Sequence, residues 1–251
     1  MKRQILTYVA GIAVACVTAS TVSAVGSGLQ FFVGEGQIAG TDQHLVVANS
    51  MDFTYHSCVD FFQQFRFRES GYFWVSSFQD TDSEVDSQIN SIEPNGKGYR
   101  IYGIYRYQAQ QVGGAQATPS GVRLNYVAAM GPMAQSIELF VDVNQDTVLD
   151  PLSCPGGAVV AGIADDISIG SGTTIPVGEK SETSGVASGD LEIVFGNWAF
   201  TAFGQMLFFN ANFNYLVFNA NITDLNGGAL GVDHLAEGSG NLFWLNVLPW
   251  D

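Results

Sequence analysis

Apolar and polar residues alternate with a period of two along most of this chain. That period favours strands, because successive side chains of an extended backbone point to opposite faces. From Tyr99, one face carries Tyr99, Ile101, Gly103, Tyr105 and Tyr107, and the other carries Arg100, Tyr102, Ile104, Arg106 and Gln108. Phe61, Phe65 and Phe67 oppose Gln64, Arg66 and Arg68; Ile137, Leu139 and Val141 oppose Ser136, Glu138 and Asp142. Leu191, Ile193 and Phe195 oppose Asp190, Glu192 and Val194. Each run predicts a strand with one buried face. Turn-forming text separates the runs at Asn95-Gly96, Val112-Gly113-Gly114, Pro119-Ser120-Gly121, Gly170-Ser171-Gly172 and Asn226-Gly227-Gly228. About ten short strands with polar turns predict an all-β fold, an antiparallel β-sandwich of jelly-roll type, with a closed barrel as the structural rival. Asp80–Pro94 and Leu152–Gly189 read as long loops, the second holding one or two weak strands.

The first 24 residues follow another rule. Lys2 and Arg3 precede an uncharged, largely apolar run from Ile5 to Val17, and Val22-Ser23-Ala24 has the small-x-small form of a signal-peptidase cut. This reads as a secretory leader over residues 1–24. Cys16 lacks the large aliphatic residue three positions earlier that a lipoprotein signal uses, so cleavage after Ala24 explains the segment better. What remains, residues 25–251, has the length of a single β-sandwich domain. The leader takes two of the nine basic residues and no acid, leaving seven against twenty-four, a net charge of −17. That charge repels phosphate and argues against nucleic acid as a partner. No later run reaches the roughly eighteen apolar residues of a membrane-spanning helix.

Two cysteines survive the cut, Cys58 and Cys154. In an oxidising compartment they either pair or stay as buried thiols. A bridge would close a loop of about 95 residues and add about 4 kcal/mol by chain entropy. Neither belongs to a CxxC pair, so they do not make a zinc site by themselves.

The sharpest local motif is Asp142, Asn144, Asp146 and Asp150. Oxygen side chains at alternating positions on a tight turn are what calcium uses. Thr147 stands where an EF-hand loop has glycine and Ser153 where it has glutamate, so the competing reading is a solvated acidic turn. Asp165 and Asp166 would complete a site if the fold brings them near. A second stretch, Phe208 to Ile222, places Asn210, Asn212 and Asn214 on one face of an expected strand, opposite Ala211, Phe213 and Tyr215, with Asn219 and Asn221 repeating the spacing. Amides beside aromatics are glycan-binding chemistry; the plainer reading is a solvent-facing polar strand. Catalytic signatures are missing: there is no G-x-S-x-G, no H-E-x-x-H and no phosphate loop, and His44, His56 and His234 are far apart. His56 near Cys58 has the spacing of a thiol–imidazole pair, which a disulfide would disarm.

Several segments taken together carry a family likeness: Met51-Asp52-Phe53-Thr54-Tyr55, Tyr102-Gly103-Ile104-Tyr105, Ile137 through Asp146, Phe195-Gly196-Asn197-Trp198 and Gly240-Asn241-Leu242-Phe243-Trp244. In this order they resemble the secreted domain of bacterial flocculation-associated and related exosortase-sorted (PEP-CTERM) extracellular proteins. The resemblance implies a β-rich matrix or floc protein without known catalysis. Those proteins end in a Pro-Glu-Pro sorting signal, a membrane helix and a basic tail. Leu248-Pro249-Trp250-Asp251 has none of these, so release or self-assembly is expected rather than anchoring.

The expectation is therefore a secreted, non-catalytic structural or adhesive protein of extracellular matrix (biofilm or floc). Its partners would be extracellular polysaccharide or copies of itself, met through surface and edge contacts. The alternatives are a calcium-assisted carbohydrate-binding module and a secreted hydrolase with unrecognised carboxylates.

Overall fold

The computed structural model describes residues 28–63, 66–81, 83–91, 98–118, 121–128, 136–149, 162–174, 179–183, 189–209, 213–226 and 233–246. The expected leader, residues 1–24, lies outside them. Among the described residues the chain forms strands β1 (Phe31–Gly34), β2 (Leu45–Ala48), β3 (Ser50–Gln63), β4 (Arg66–Asp80), β5 (Ser83–Val85), β6 (Arg100–Thr118) and β7 (Gly121–Ala128). These are followed by β8 (Ser136–Asp142), β9 (Ile167–Thr174), β10 (Glu179–Thr183), β11 (Gly189–Phe200), a short helix α1 (Ala202–Leu207), β12 (Phe208–Phe209), β13 (Tyr215–Asn226) and β14 (Asp233–Leu245).

The expected all-β class holds; the sandwich does not. The main sheet closes on itself as an eight-stranded antiparallel barrel, in the order β4-β6-β8-β9-β11-β13-β14-β3. Pairing of Arg66–Trp74 on β4 with Tyr102–Gln110 on β6 completes the ring. The sequence left this open for a physical reason. Alternation identifies one buried face per strand, but not whether those faces meet across two sheets or around one rolled sheet.

The wall has two levels. β6 pairs with β8 over Arg100–Arg106 and with β7 from Ala109 to Thr118. β11 pairs with β9 over Phe195–Phe200 and with β10 over Gly189–Glu192. At one end β8 and β9 therefore complete the wall; at the other, β7 and β10 take their place. Two of the expected turns are absorbed into strands. Val112-Gly113-Gly114 lies within β6 at a register shift, and Gly170-Ser171-Gly172 lies within β9. Glycine in a strand of a strongly curved sheet marks a bulge as readily as a turn. Leu152–Gly189, expected as a long loop holding one or two weak strands, contains two among its described residues, β9 and β10.

Apolar positions point inward. Phe53, Phe73, Tyr105 and Phe218 meet in the lumen, with Phe53 stacked on Phe218 at 4.5 Å between centroids. Gly103, the ladder partner of Phe73, is where the lumen requires glycine: a Cβ there would stand 2.1 Å from the Phe73 ring. The small sheet β12-β1-β2 and α1 share this core, through Phe31 against Phe78 and Phe208 and through Trp244 against Phe208. The outer wall bears Asp52, Asp60, Arg66, Arg68, Arg100, Arg106 and Glu138. It also carries two apolar clusters, one of Tyr72, Tyr102 and Leu149 and one of Val194, Val217 and Phe243. Among the described residues no helix is long and apolar enough to cross a membrane.

Candidate functional site

The acidic motif sits where β8 leaves the barrel. Asp142 is fully buried at the strand end. Its Oδ1 accepts the Asp146 amide at 3.3 Å and its Oδ2 the Thr147 amide at 3.2 Å. The turn between them passes through Gln145 at φ 59°, an unusual conformation for a side-chain-bearing residue. The Gln145 carbonyl accepts from the Arg100 guanidinium at 3.2 Å, and its side-chain amide donates to the Ser91 carbonyl at 2.9 Å.

A second acidic turn docks onto the first, as Asp165 and Asp166 would have to if they are to join it. The Asn144 amide donates to Asp165 Oδ2 at 2.7 Å, and the Thr147 hydroxyl donates to Asp166 Oδ2 at 2.7 Å. Tyr102, on the outer face of β6, donates to the same Asp166 oxygen at 2.5 Å. Gly162, at φ +88°, lets the turns touch: a Cβ there would lie 2.6 Å from the Asp146 carbonyl oxygen. Burial pushes the Asp142 carboxyl above the usual carboxylate range; Asp166 adds to the rise and the backbone amides oppose it. Asp166 Oδ1 is buried and has no hydrogen-bond partner among the described residues.

The corner thus brings together Asp142, Asn144, Asp146, Asp165 and Asp166. Asp150 lies outside the described residues. Amides and hydroxyls occupy both Asp142 oxygens and one oxygen each of Asp165 and Asp166. Among the described residues no three His, Cys, Asp or Glu side chains converge as a ready metal cage.

The asparagine stretch is organised differently from the expected single strand. β12 ends at Phe209 in the small sheet and β13 begins at Tyr215 in the barrel. Asn214 is exposed between them, its amide donating to the Asn246 carbonyl at 3.3 Å; Asn210 and Asn212 lie outside the described residues. Asn219 and Asn221 do share the outer face of β13. Asn219 belongs to a polar row that runs around the wall, Glu192–Asn219–Asn241–Asp52–Ser77, each the ladder partner of the next. Sequence reading missed this row because its members come from five strands.

It also missed two buried carboxylates. Glu35 is fully buried beside β1. It accepts from the Gln88 amide at 2.7 Å and from the Tyr99 hydroxyl at 2.9 Å, and lies 2.8 Å from His44 Nδ1. Glu69 lies inside the barrel against Tyr105 and Tyr107. His56 faces Glu237 at 3.3 Å and stacks on Tyr72. Cys58 is buried on β3, and Cys154 lies outside the described residues.

No family model, no curated protein and no solved structure matches the chain.

Proposed function

We propose that the mature chain is an exported, non-catalytic barrel that works in extracellular matrix as a rigid contact module. It holds polysaccharide along its outer wall. The observation that carries this reading is the row Glu192–Asn219–Asn241–Asp52–Ser77. Adjacent strands stand about 4.8 Å apart, so the row sets polar groups at a regular spacing, with Gln79 bonded to Asp52 and Ser77 at one end, which suits a repeating hydroxylated polymer. The leader pattern and the likeness to PEP-CTERM matrix proteins support export and setting. The aromatic lumen supports a rigid scaffold. The test is retention of the mature protein on immobilised matrix polysaccharide. Wild type is expected to be retarded, and Asn219→Ala combined with Asn241→Ala is expected to elute freely with an unchanged oligomeric state. Unretarded wild type, or a double variant that binds as wild type does, overturns the reading.

The docking of Asp165 and Asp166 onto the 142–147 turn favours a second reading, in which calcium assists the contact. Asp142, Asn144, Asp146 and Asp150 would supply its oxygens along with those two acids. Such a site would be of the weak extracellular kind, with Kd of order 10⁻⁴–10⁻³ M. Calcium is then expected to raise Tm and strengthen polysaccharide retention, and chelator to reverse both. Identical melting and retention in the two conditions would eliminate calcium and leave the first reading standing.

A further inference from the structure

Away from the acidic corner, the lumen contains a polar island. Glu69 is 3% exposed, yet lies inside the wall. The Tyr105 hydroxyl donates to its Oε1 at 2.7 Å and the Tyr107 hydroxyl to its Oε2 at 2.8 Å. Tyr55 and Ser57, 1% and 4% exposed, come to the same place from β3. Ser57 and Tyr105 are both ladder partners of Gly71, two residues along β4 from Glu69, and burial, with the Glu69 charge adding to it, raises the Tyr55 hydroxyl above its ordinary range. Neither the Tyr55 nor the Ser57 hydroxyl satisfies hydrogen-bond geometry with any partner among the described residues.

Glycines face both side chains across the wall. Ser57 is the ladder partner of Gly71, and Tyr55 that of Gly238. A Cβ at Gly71 would lie 2.6 Å from Ser57 Cβ, and one at Gly238 would lie 2.6 Å from Tyr55 Cε1. Backbone carbonyls close the same space, Asn221 O at 2.0 Å from the Gly238 position and His56 O at 2.6 Å from the Gly71 position, so both sites admit glycine alone.

Buried hydroxyls without partners are costly, and a buried carboxylate without a counter-charge costs more. One ligand relieves both. The Glu69, Tyr55 and Ser57 donors are all hard oxygen, which selects a hard cation, and the single carboxylate suits one positive charge rather than two. The Tyr105 and Tyr107 hydroxyls hold the carboxylate in place by donating to it. We propose that the lumen binds one monovalent alkali cation, Na⁺ or K⁺, between the Glu69 carboxylate and the hydroxyl oxygens of Tyr55 and Ser57.

Thermal unfolding of the mature protein at mildly alkaline pH tests this, in NaCl, KCl or choline chloride at one ionic strength. Wild type is expected to melt several degrees higher in at least one alkali salt than in choline, with saturation as that salt replaces choline. Glu69→Gln is expected to melt alike in all three. Tyr55→Phe, which keeps the ring and the carboxylate, is expected to lose at least half of the discrimination. Equal melting of wild type in all three salts overturns the proposal and leaves internal water as partner of the two hydroxyls. Full discrimination in Glu69→Gln overturns it too. If Glu69→Gln does not fold, undiminished discrimination in Tyr55→Phe has the same force.

Discussion

Four tyrosines at and just before β6 end their side chains on carboxylates. Tyr99 meets Glu35, Tyr102 meets Asp166, and Tyr105 and Tyr107 meet Glu69, with partners 36 to 64 positions away. The tyrosine spacing was legible in the sequence, because period two put Tyr99, Tyr105 and Tyr107 on one face. Their acids were not legible, since nothing local distinguishes Glu35 or Glu69 from a solvated glutamate. Burial lifts the Glu69 carboxyl above its ordinary range, against the pull of its hydroxyl donors. The folded state therefore holds this proton more tightly than the unfolded chain does. The resulting stability is complete below about pH 4, near the unfolded glutamate value, and is lost as pH rises through the folded value. Stability of wild type in choline chloride should accordingly fall on going from acid to neutral pH, and Glu69→Gln should flatten that slope. Denaturant midpoints across the pH range check this; equal slopes for the two proteins would contradict it. Gly103→Ala should cost about 1–3 kcal/mol in the same measurement, by forcing a methyl group into the Phe73 ring.

Single elements were read with uneven success. Strands β6, β8 and β11 were predicted from alternation, because each has one face in the lumen and one outside. Glycine was the weaker guide. At Val112-Gly113-Gly114 it predicted a turn, but the chain continues through a register shift, since a rolled sheet needs bulges where a flat one needs none. The division of Phe208–Ile222 between two sheets was equally hidden, because period two runs across the break. Helix α1 was missed, being only six residues long. Its cap is specific: the Thr201 hydroxyl accepts the Gly204 amide at 3.0 Å and donates to the Ser168 carbonyl at 2.6 Å. Thr201→Ala removes both bonds and should destabilise by about 1–2 kcal/mol, read as a lowered denaturant midpoint with an unchanged m-value.

On the scale of the whole molecule, the docking of two acidic turns was anticipated only as a condition, because sequence does not say which loops share a barrel end. The same holds for Cys58 and Cys154, whose pairing remains a proposal. If they are joined, reduction and alkylation of the unfolded mature protein should add two alkyl groups that the unreduced protein does not accept, and reduction should lower Tm. Alkylation without reductant would show free thiols.

The barrel's closure also decides how copies of this protein are able to meet. Among the described strands only β2, β5 and β12 have a single partner, and they are four, three and two residues long. Among the described residues the chain thus offers little template for the cross-β stacking that turns exposed strands into fibrils. In the matrix setting proposed above, copies would be knit by side-chain contacts, of a kind that added salt or free sugar is able to undo.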